Sequence, residues 1–414
     1  MRVLRPDSDT IFVNVNPNLD HLQSYPFQKL NKLYSGITPN STHSPIRLHI
    51  GEPKHKTPDF IRLALTEGLN KLANYPTTLG DKSLRTSISS WLERRYNLPS
   101  INPDTEVMPV NGSREALFSF AQAVIDLSRS NVTVICPNPF YQIYEGAALL
   151  AGATPHFLNA LPENNFTADY TQISDKIWAR TQLIYVCSPA NPSGKVMTLD
   201  DWEKLFTLSD QFGFIIAADE CYSEIYLEEN NQPLGALEAA HRLNRKDFPR
   251  LVVFGSLSKR SNVPGLRSGF VAGNSEILKN FLLYRTYHGC AMNPAVQAAS
   301  EAAWNEEFHV SENRRLYREK FVAVKELLNG QMEAPIPEAT FYLWAKTTIS
   351  DTDFAQQLYQ DYNVTVLPGS YLSREAHGVN PGKNFIRMAM VPPLPECIEA
   401  TKRIKTFCSS LVKS

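Results

Sequence analysis

The chain has 414 residues and a formal net charge of −1, with 41 Lys and Arg against 42 Asp and Glu. That length exceeds one ordinary core and implies two domains, or one large α/β unit with a satellite. The charge balance gives no reason to expect nucleic acid or an anionic membrane as partner, and no apolar run approaches the roughly 20 residues needed to span a bilayer.

Residues 1 to 20 lack the continuous apolar core of a secretory signal, so a cytoplasmic protein is expected. The first 50 or so residues are rich in Pro, Asn and Ser, show little periodicity, and are expected to drape over the body or join a small domain. From about residue 110 to 290, short apolar runs alternate with helical patterns. The runs are "VTVICP" (132–137), "TQLIYVCSP" (181–189), "FIIAADE" (214–220), "LVVFGSLS" (251–258) and "SGFVAG" (268–273). Continuous apolar strands separated by amphipathic helices imply a mostly parallel sheet covered on both faces. Ligands of such sheets bind beyond the carboxyl ends of the strands. After residue 290 a long helical pattern leads to "TFYLWAK", "NFIRMAM" and a final helix, which reads as a smaller α+β domain.

Polar residues follow the apolar runs, taken here in chain order. "NGSREAL" (111–117) opens a helix, where Gly112 and Ser113 let backbone N–H groups approach an anion. The same residues also suit a plain helix cap, and the spacing of a P-loop is absent. Tyr141 in "NPFYQIY" could stack on a planar ligand or simply pack in the core. "SPANPSG" (188–194) sets Asn191 between prolines, as a ligand contact or as an ordinary turn. Asp219 ends an apolar strand and needs a partner, either a cap or Arg, or else a protonated ring nitrogen. Tyr222 lies three residues on. Lys259 in "SLSK" (256–259) follows another strand, and a partly desolvated lysine amine is a nucleophile. The six cysteines (Cys136, Cys187, Cys221, Cys290, Cys397, Cys408) form no C-x-x-C pair. Reduced thiols are expected, and no metal site.

Together and in this order these motifs resemble the fold-type I pyridoxal-phosphate enzymes, specifically the class I/II aminotransferases, from "LHIGEPKHKTP" near residue 50 to "NFIRMAM". The resemblance implies an α/β fold with a mostly parallel central sheet flanked by helices, plus a smaller α+β domain. It places residues 1–55 in the small domain, 56–295 in the large cofactor-binding domain and 296–414 in the small C-terminal domain. It implies pyridoxal 5′-phosphate as cofactor, carried covalently by Lys259, with Arg267, Gly112, Ser113, Arg114, Ser256 and Ser258 around the phosphate. Asp219, Tyr222 and Asn191 would surround the pyridine ring, with Tyr141 stacked on it. Lys259, Asp219 and Tyr222 would be catalytic. Arg387 would bind the substrate α-carboxylate, opposite the backbone of Gly51 and beside Asn191. Tyr75 would reach the phosphate of a neighbouring subunit in a homodimer with shared active sites.

Within that family, "SLSKRSNVPGLRSGFVAG", "CPNPFYQIYEGA" and "FLLYRTYHG" resemble bacterial succinyldiaminopimelate aminotransferases. These move an amine between glutamate and N-succinyl-2-amino-6-oxopimelate, in lysine and diaminopimelate synthesis. Arg114, Arg260 and Arg285 are then the expected cations for the distal carboxylates. Alternatives are a broad aspartate or aromatic aminotransferase, a C–S lyase using the same cofactor, or a non-catalytic ligand-sensing module.

Overall fold

The structure, a computed structural model, describes residues 15–411. In chain order the strands are β1 (Ile46–Arg47), β2 (Val107–Val110), β3 (Thr133–Asn138), β4 (Thr154–Asn159), β5 (Thr181–Cys187), β6 (Ile215–Asp219), β7 (Leu251–Ser256) and β8 (Gly269–Gly273). They are followed by β9 (Tyr342–Lys346), β10 (Val364–Thr365), β11 (Leu367–Pro368) and β12 (Phe385–Ala389). The main sheet has the order β2-β8-β7-β6-β5-β3-β4. Strands β3 to β7 run parallel, while β8 is antiparallel to both its neighbours. Two reversals cancel, so β2 points the same way as β7. The carboxyl ends of β2, β3, β5, β6 and β7 therefore share one edge of the sheet with the start of β8.

Why these segments are strands follows from their burial. All six residues of β7 are buried, and alternate residues feed opposite faces. Ile184, Ile216 and Val253 enter one core with Trp202 and Leu205 of the helix Leu199–Phe212. Leu183, Ala217, Val252 and Phe254 enter the other with Leu117 and Phe120 of the helix Ser113–Val124. The all-apolar texture is what a sheet covered on both sides requires. The sequence pattern misses β2 and β4, the two edge strands. Pro109 sits in β2, which tolerates it because an edge strand has one side with no ladder to complete.

The smaller body has the antiparallel sheet β11-β12-β9, and β1 pairs in parallel with β10. Ile46 and Leu48 join its core, which also takes Phe321, Phe354 and Ile404 from three helices. The segment around residue 46 is thus held by the C-terminal body. The division expected at residue 295 falls instead within a helix, Pro294–Trp304, that packs with the large body. Its Ala299, Ala303 and Trp304 lie in the large core, with Trp304 against Trp91 and Phe270. The change of body comes after Trp304. Among the described residues no helix is long and apolar enough to cross a membrane.

Removing Trp304 tests that assignment. Trp304→Ala should lower the unfolding free energy of the large body by about 3–5 kcal/mol, the usual cost of emptying a buried aromatic site. Denaturant unfolding followed by tryptophan fluorescence measures it, and a loss confined to the small body would move the helix there.

Candidate active site

The shared sheet edge opens on a cavity of about 490 Å³. At its centre the short helix Leu257–Arg260 leaves the end of β7 and sets Lys259 half-buried, its amine facing the cavity. Lys259 Nζ donates to Gly51 O at 2.8 Å and lies 5.7 Å from the centre of the Phe341 ring. Burial lowers the amine to about 8; the Cys221 thiol opposes this, while Arg387, Arg267 and Arg114 reinforce it. Near neutrality a usable fraction of this amine is uncharged.

Asp219 closes β6 and is buried. Tyr144 OH donates to its Oδ2 at 2.7 Å, and the Cys221 backbone N–H donates to its Oδ1 at 3.2 Å. Burial raises its pKa, while those donors pull the other way. Its hydrogen-bond donors within the protein are all neutral. An ionised carboxylate held in this way is costly unless a cation arrives, and the cavity is where one could sit.

An anion would meet the other side. Gly112 caps the helix Ser113–Val124 with φ +88°, and a Cβ there would lie 2.5 Å from Arg267 Nη2. Both facts demand glycine. Arg267 faces the cavity with its Nη1 donating to Pro264 O at 3.0 Å, and among the described residues it pairs with no carboxylate. Ser256 Oγ accepts from the Ser258 backbone N–H at 3.1 Å, and Ser113 Oγ accepts from Cys221 Sγ at 2.9 Å. A helix start, two serines beside it and an unpaired guanidinium make a phosphate-sized receptor.

The small body supplies the third wall. Arg387, on β12, is buried and donates through Nη1 to Asn191 Oδ1 at 2.9 Å and through Nη2 to His49 O at 3.0 Å. Its guanidinium lies 4.2 Å from the centre of the Tyr342 ring. Tyr342 OH is 3.1 Å from Tyr222 OH, and a Cβ on Gly51 would overlap Tyr342. Burial holds the Tyr222 phenol well above its usual range.

The structure therefore gathers Gly51, Ser113, Arg114, Tyr141, Asn191, Asp219, Tyr222, Ser256, Ser258, Lys259, Arg267 and Arg387 around one cavity, with Gly112 directly behind. Tyr75 is not among them; it is fully exposed, away from the cavity. Two expected distal cations are corrected. Arg260 is buried against Trp304 and Trp91, donates to Ala303 O at 2.7 Å and pairs with Glu307 at 2.5 Å. Arg285 is buried and pairs with Glu115 at 2.8 Å. Both are spent on the scaffold, and neither lines the cavity. Sequence reasoning missed Tyr25, Phe27, Tyr144 and Tyr342 as lining residues. Tyr144 lies three residues beyond Tyr141, in the first turn of the helix Ile143–Leu150, and the two rings meet edge to face at 5.8 Å. The aperiodic segment holding Tyr25 and Phe27 offered no signal.

The chain is similar to known aminotransferases along most of its length. The family model described as aminotransferase class I and II matches residues 44–404. An LL-diaminopimelate aminotransferase of Nitratidesulfovibrio vulgaris is 31% identical over 389 residues, covering 92% of this chain and 96% of the relative. Among solved structures, an aminotransferase from Neisseria meningitidis Z2491 superposes with TM-score 0.92 at 49% identity, covering 95% of this chain and 100% of that one. The aminotransferase AspB from Helicobacter pylori 26695 superposes with TM-score 0.87 at 34% identity, covering 94% and 99%.

The depressed amine is directly measurable. In protein stripped of small molecules, labelling of Lys259 by an amine-selective reagent should rise with pH to a midpoint near 8 and then level off. Exposed lysines should keep accelerating toward their usual value of about 10.4. Peptide mapping that finds Lys259 titrating with the exposed lysines would remove the burial argument.

Proposed function

Because the chain belongs to the class I and II aminotransferase family, whose enzymes depend on pyridoxal phosphate, we propose that Lys259 is its cofactor-bearing residue. Amine transfer would then run between glutamate and a long-chain keto acid, N-succinyl-2-amino-6-oxopimelate. The single observation behind the chemistry is that one cavity brings together the Lys259 amine and the buried Asp219 carboxylate, whose hydrogen-bond donors are neutral.

The cofactor fits the residues present. Its phosphate would take Arg267, the Ser256 and Ser258 hydroxyls and the backbone N–H groups of Ser113 and Arg114. Its ring would lie between Tyr141 and the strand ends, with the ring N–H on Asp219. When bound, pyridoxal phosphate supplies an aldehyde carbon for the amine and a cationic ring that withdraws electrons from the substrate's α-carbon. The protein does the rest. Asp219 would keep the ring nitrogen protonated, because that proton gives the buried carboxylate a hydrogen-bonded counter-charge. Arg387 fixes the substrate α-carboxylate, and Asn191 holds the Arg387 fork in place. Lys259 Nζ, basic near neutrality, takes the proton from the α-carbon and returns one to the acceptor. Tyr222, neutral and donating, steadies the ring's phenolic oxygen.

The substrate reading rests on the motif wording around Lys259 and on the diaminopimelate-directed names of relatives at about 30% identity. Those names favour a second reading, direct amine transfer to or from LL-diaminopimelate without the succinyl group. We also propose a cytoplasmic homodimer. Leu63, Leu69, Leu72 and Tyr75 are all exposed on one stretch of chain, an apolar surface suited to a second copy. Tyr75 would then complete the partner's phosphate site.

Three measurements follow. Lys259→Ala should keep non-covalent cofactor binding and lose turnover by several orders of magnitude, and borohydride trapping should map the wild-type cofactor to Lys259 alone. Asp219→Asn should slow α-proton exchange about 100-fold or more, the scale of one lost electrostatic contact in a reacting site, with cofactor affinity changing far less. The substrate test compares kcat/KM for N-succinyl-2-amino-6-oxopimelate, LL-diaminopimelate, oxaloacetate and an aromatic keto acid, and assays pyruvate release from cystathionine. The succinylated acid should lead; any other leader replaces the substrate reading, and pyruvate release as the main reaction would make the protein a lyase.

A further inference from the structure

Lys259 is held at both ends. Its amine donates to Gly51 O at 2.8 Å, and its backbone carbonyl accepts from Asn313 Nδ2 at 3.2 Å. The same Nδ2 reaches Arg260 O at 3.4 Å. These two supports come from distant parts of the chain, Gly51 from the segment after β1 and Asn313 from the helix Phe308–Leu328. His55, one short loop beyond Gly51, joins them. Its Nδ1 lies 2.7 Å from Asn313 Oδ1, and its Nε2 lies 2.7 Å from Nζ of Lys320, further along the same helix as Asn313.

The protons along this chain follow from its ends. Lys259 O and Arg260 O can only accept, so the Asn313 amide turns its NH2 group to them and its Oδ1 to His55. Asn262 Nδ2 donates to the same Oδ1 at 3.0 Å. His55 must then carry its proton on Nδ1, which leaves Nε2 to accept from Lys320. Burial brings the imidazole down to about 4, with the Lys320 charge reinforcing this and Asn313 opposing it, so the ring is neutral. It packs on Tyr317 with ring centres 4.5 Å apart. Lys320 Nζ also donates to Val391 O at 3.2 Å, just past the strand that carries Arg387.

Lys320 is 2% exposed, and among the described residues it pairs with no carboxylate. Burial lowers its amine to about 8, against the pull of the Cys397 thiol. A buried ammonium with no anion is costly, and an apolar side chain of similar length would escape that cost. What the ammonium does here is fix one tautomer of His55. We infer that Lys320, His55 and Asn313 are positioning residues that keep the Lys259 amine and the Gly51 carbonyl in register at the cavity. None of the three lines the cavity, so they act through Lys259 and Gly51 and not on a ligand. This rests on the reading of Lys259 as the cofactor-bearing residue and deepens it: the working amine is aimed from both ends by one hydrogen-bonded chain.

Lys320→Met is the discriminating change, because it removes the donor and the buried charge but keeps an unbranched, helix-favouring side chain. The variant should unfold at the same denaturant concentration as the wild type or a higher one. In holoenzyme with glutamate as donor, its kcat should fall about 10- to 100-fold, the scale of a small misplacement of a reacting group, while KM moves less than about threefold. Lys320→Gln, which returns a neutral N–H donor, should lie between Lys320→Met and the wild type. His55→Ala should lose a similar factor, and the double variant no more, since both changes cut one chain. In protein stripped of small molecules, His55→Ala should move the labelling midpoint of Lys259 from near 8 up toward the ordinary value of about 10.4. The direction is upward because burial lowers the amine and loosening the Gly51 segment lets water back. A Lys320→Met enzyme with wild-type kcat, losses that add in the double variant, or an unmoved Lys259 midpoint would assign these residues to the scaffold and overturn the inference. Borohydride trapping of the cofactor on another lysine would refute the Lys259 assignment, a different result, and the labelling midpoint would still decide the positioning.

Discussion

Asp219 is a buried carboxylate at the end of β6; its hydrogen-bond donors are neutral, and Lys259 across the cavity is the cation that acts on it. Ionised in that setting it costs several kcal/mol unless something positive joins it. A chain selected for stability alone would replace it, so its presence constrains everything around it. Tyr144 and the Cys221 N–H must hold it in one orientation. The cavity must stay open toward it, and the neighbouring strand must present Lys259, whose amine the same burial weakens. One desolvated environment thus does two jobs: it makes the acid demand a cation, and it makes the lysine give up its proton.

The sheet topology is what lets these demands be met together. In a purely sequential parallel sheet, the residues after β2 would lie far from those after β7. Here β8 doubles back between them, so Gly112 and Ser113 come to the same edge as Ser256, Lys259 and Arg267. Arg267 precedes an antiparallel strand and still reaches the carboxyl-end edge for this reason. The close approach has a steric cost, visible at Gly112, where no side chain fits beside Arg267. The small body then adds Arg387 and Tyr342 from the far side, and the Asn191–Arg387 hydrogen bond joins the two bodies at the cavity wall.

Much of this was legible from residues alone, and the reason is periodicity. Strands buried on both faces leave continuous apolar runs, so β3, β5, β6, β7 and β8 could be located and the polar residues after them picked out. The edge strands β2 and β4 were not legible, because one side of an edge needs no ladder and can carry Pro109 or His156. The boundary at residue 295 misled for a related reason: Pro294–Trp304 is an amphipathic helix, and its sequence does not say which core receives its apolar side. Tyr25 was invisible, because a side chain on an aperiodic segment is placed only by what that segment packs against.

The arginines mark the limit most sharply. Arg114, Arg260 and Arg285 were equivalent candidates in sequence, each beside a site motif. In the structure two are buried under ion pairs with Glu307 and Glu115, and one faces the cavity with only phenols for company. What separates them is the location of the nearest carboxylate, a long-range fact: Glu115 lies 170 positions from Arg285. A sequence reports which cations are available. Only the fold reports which of them are already neutralised.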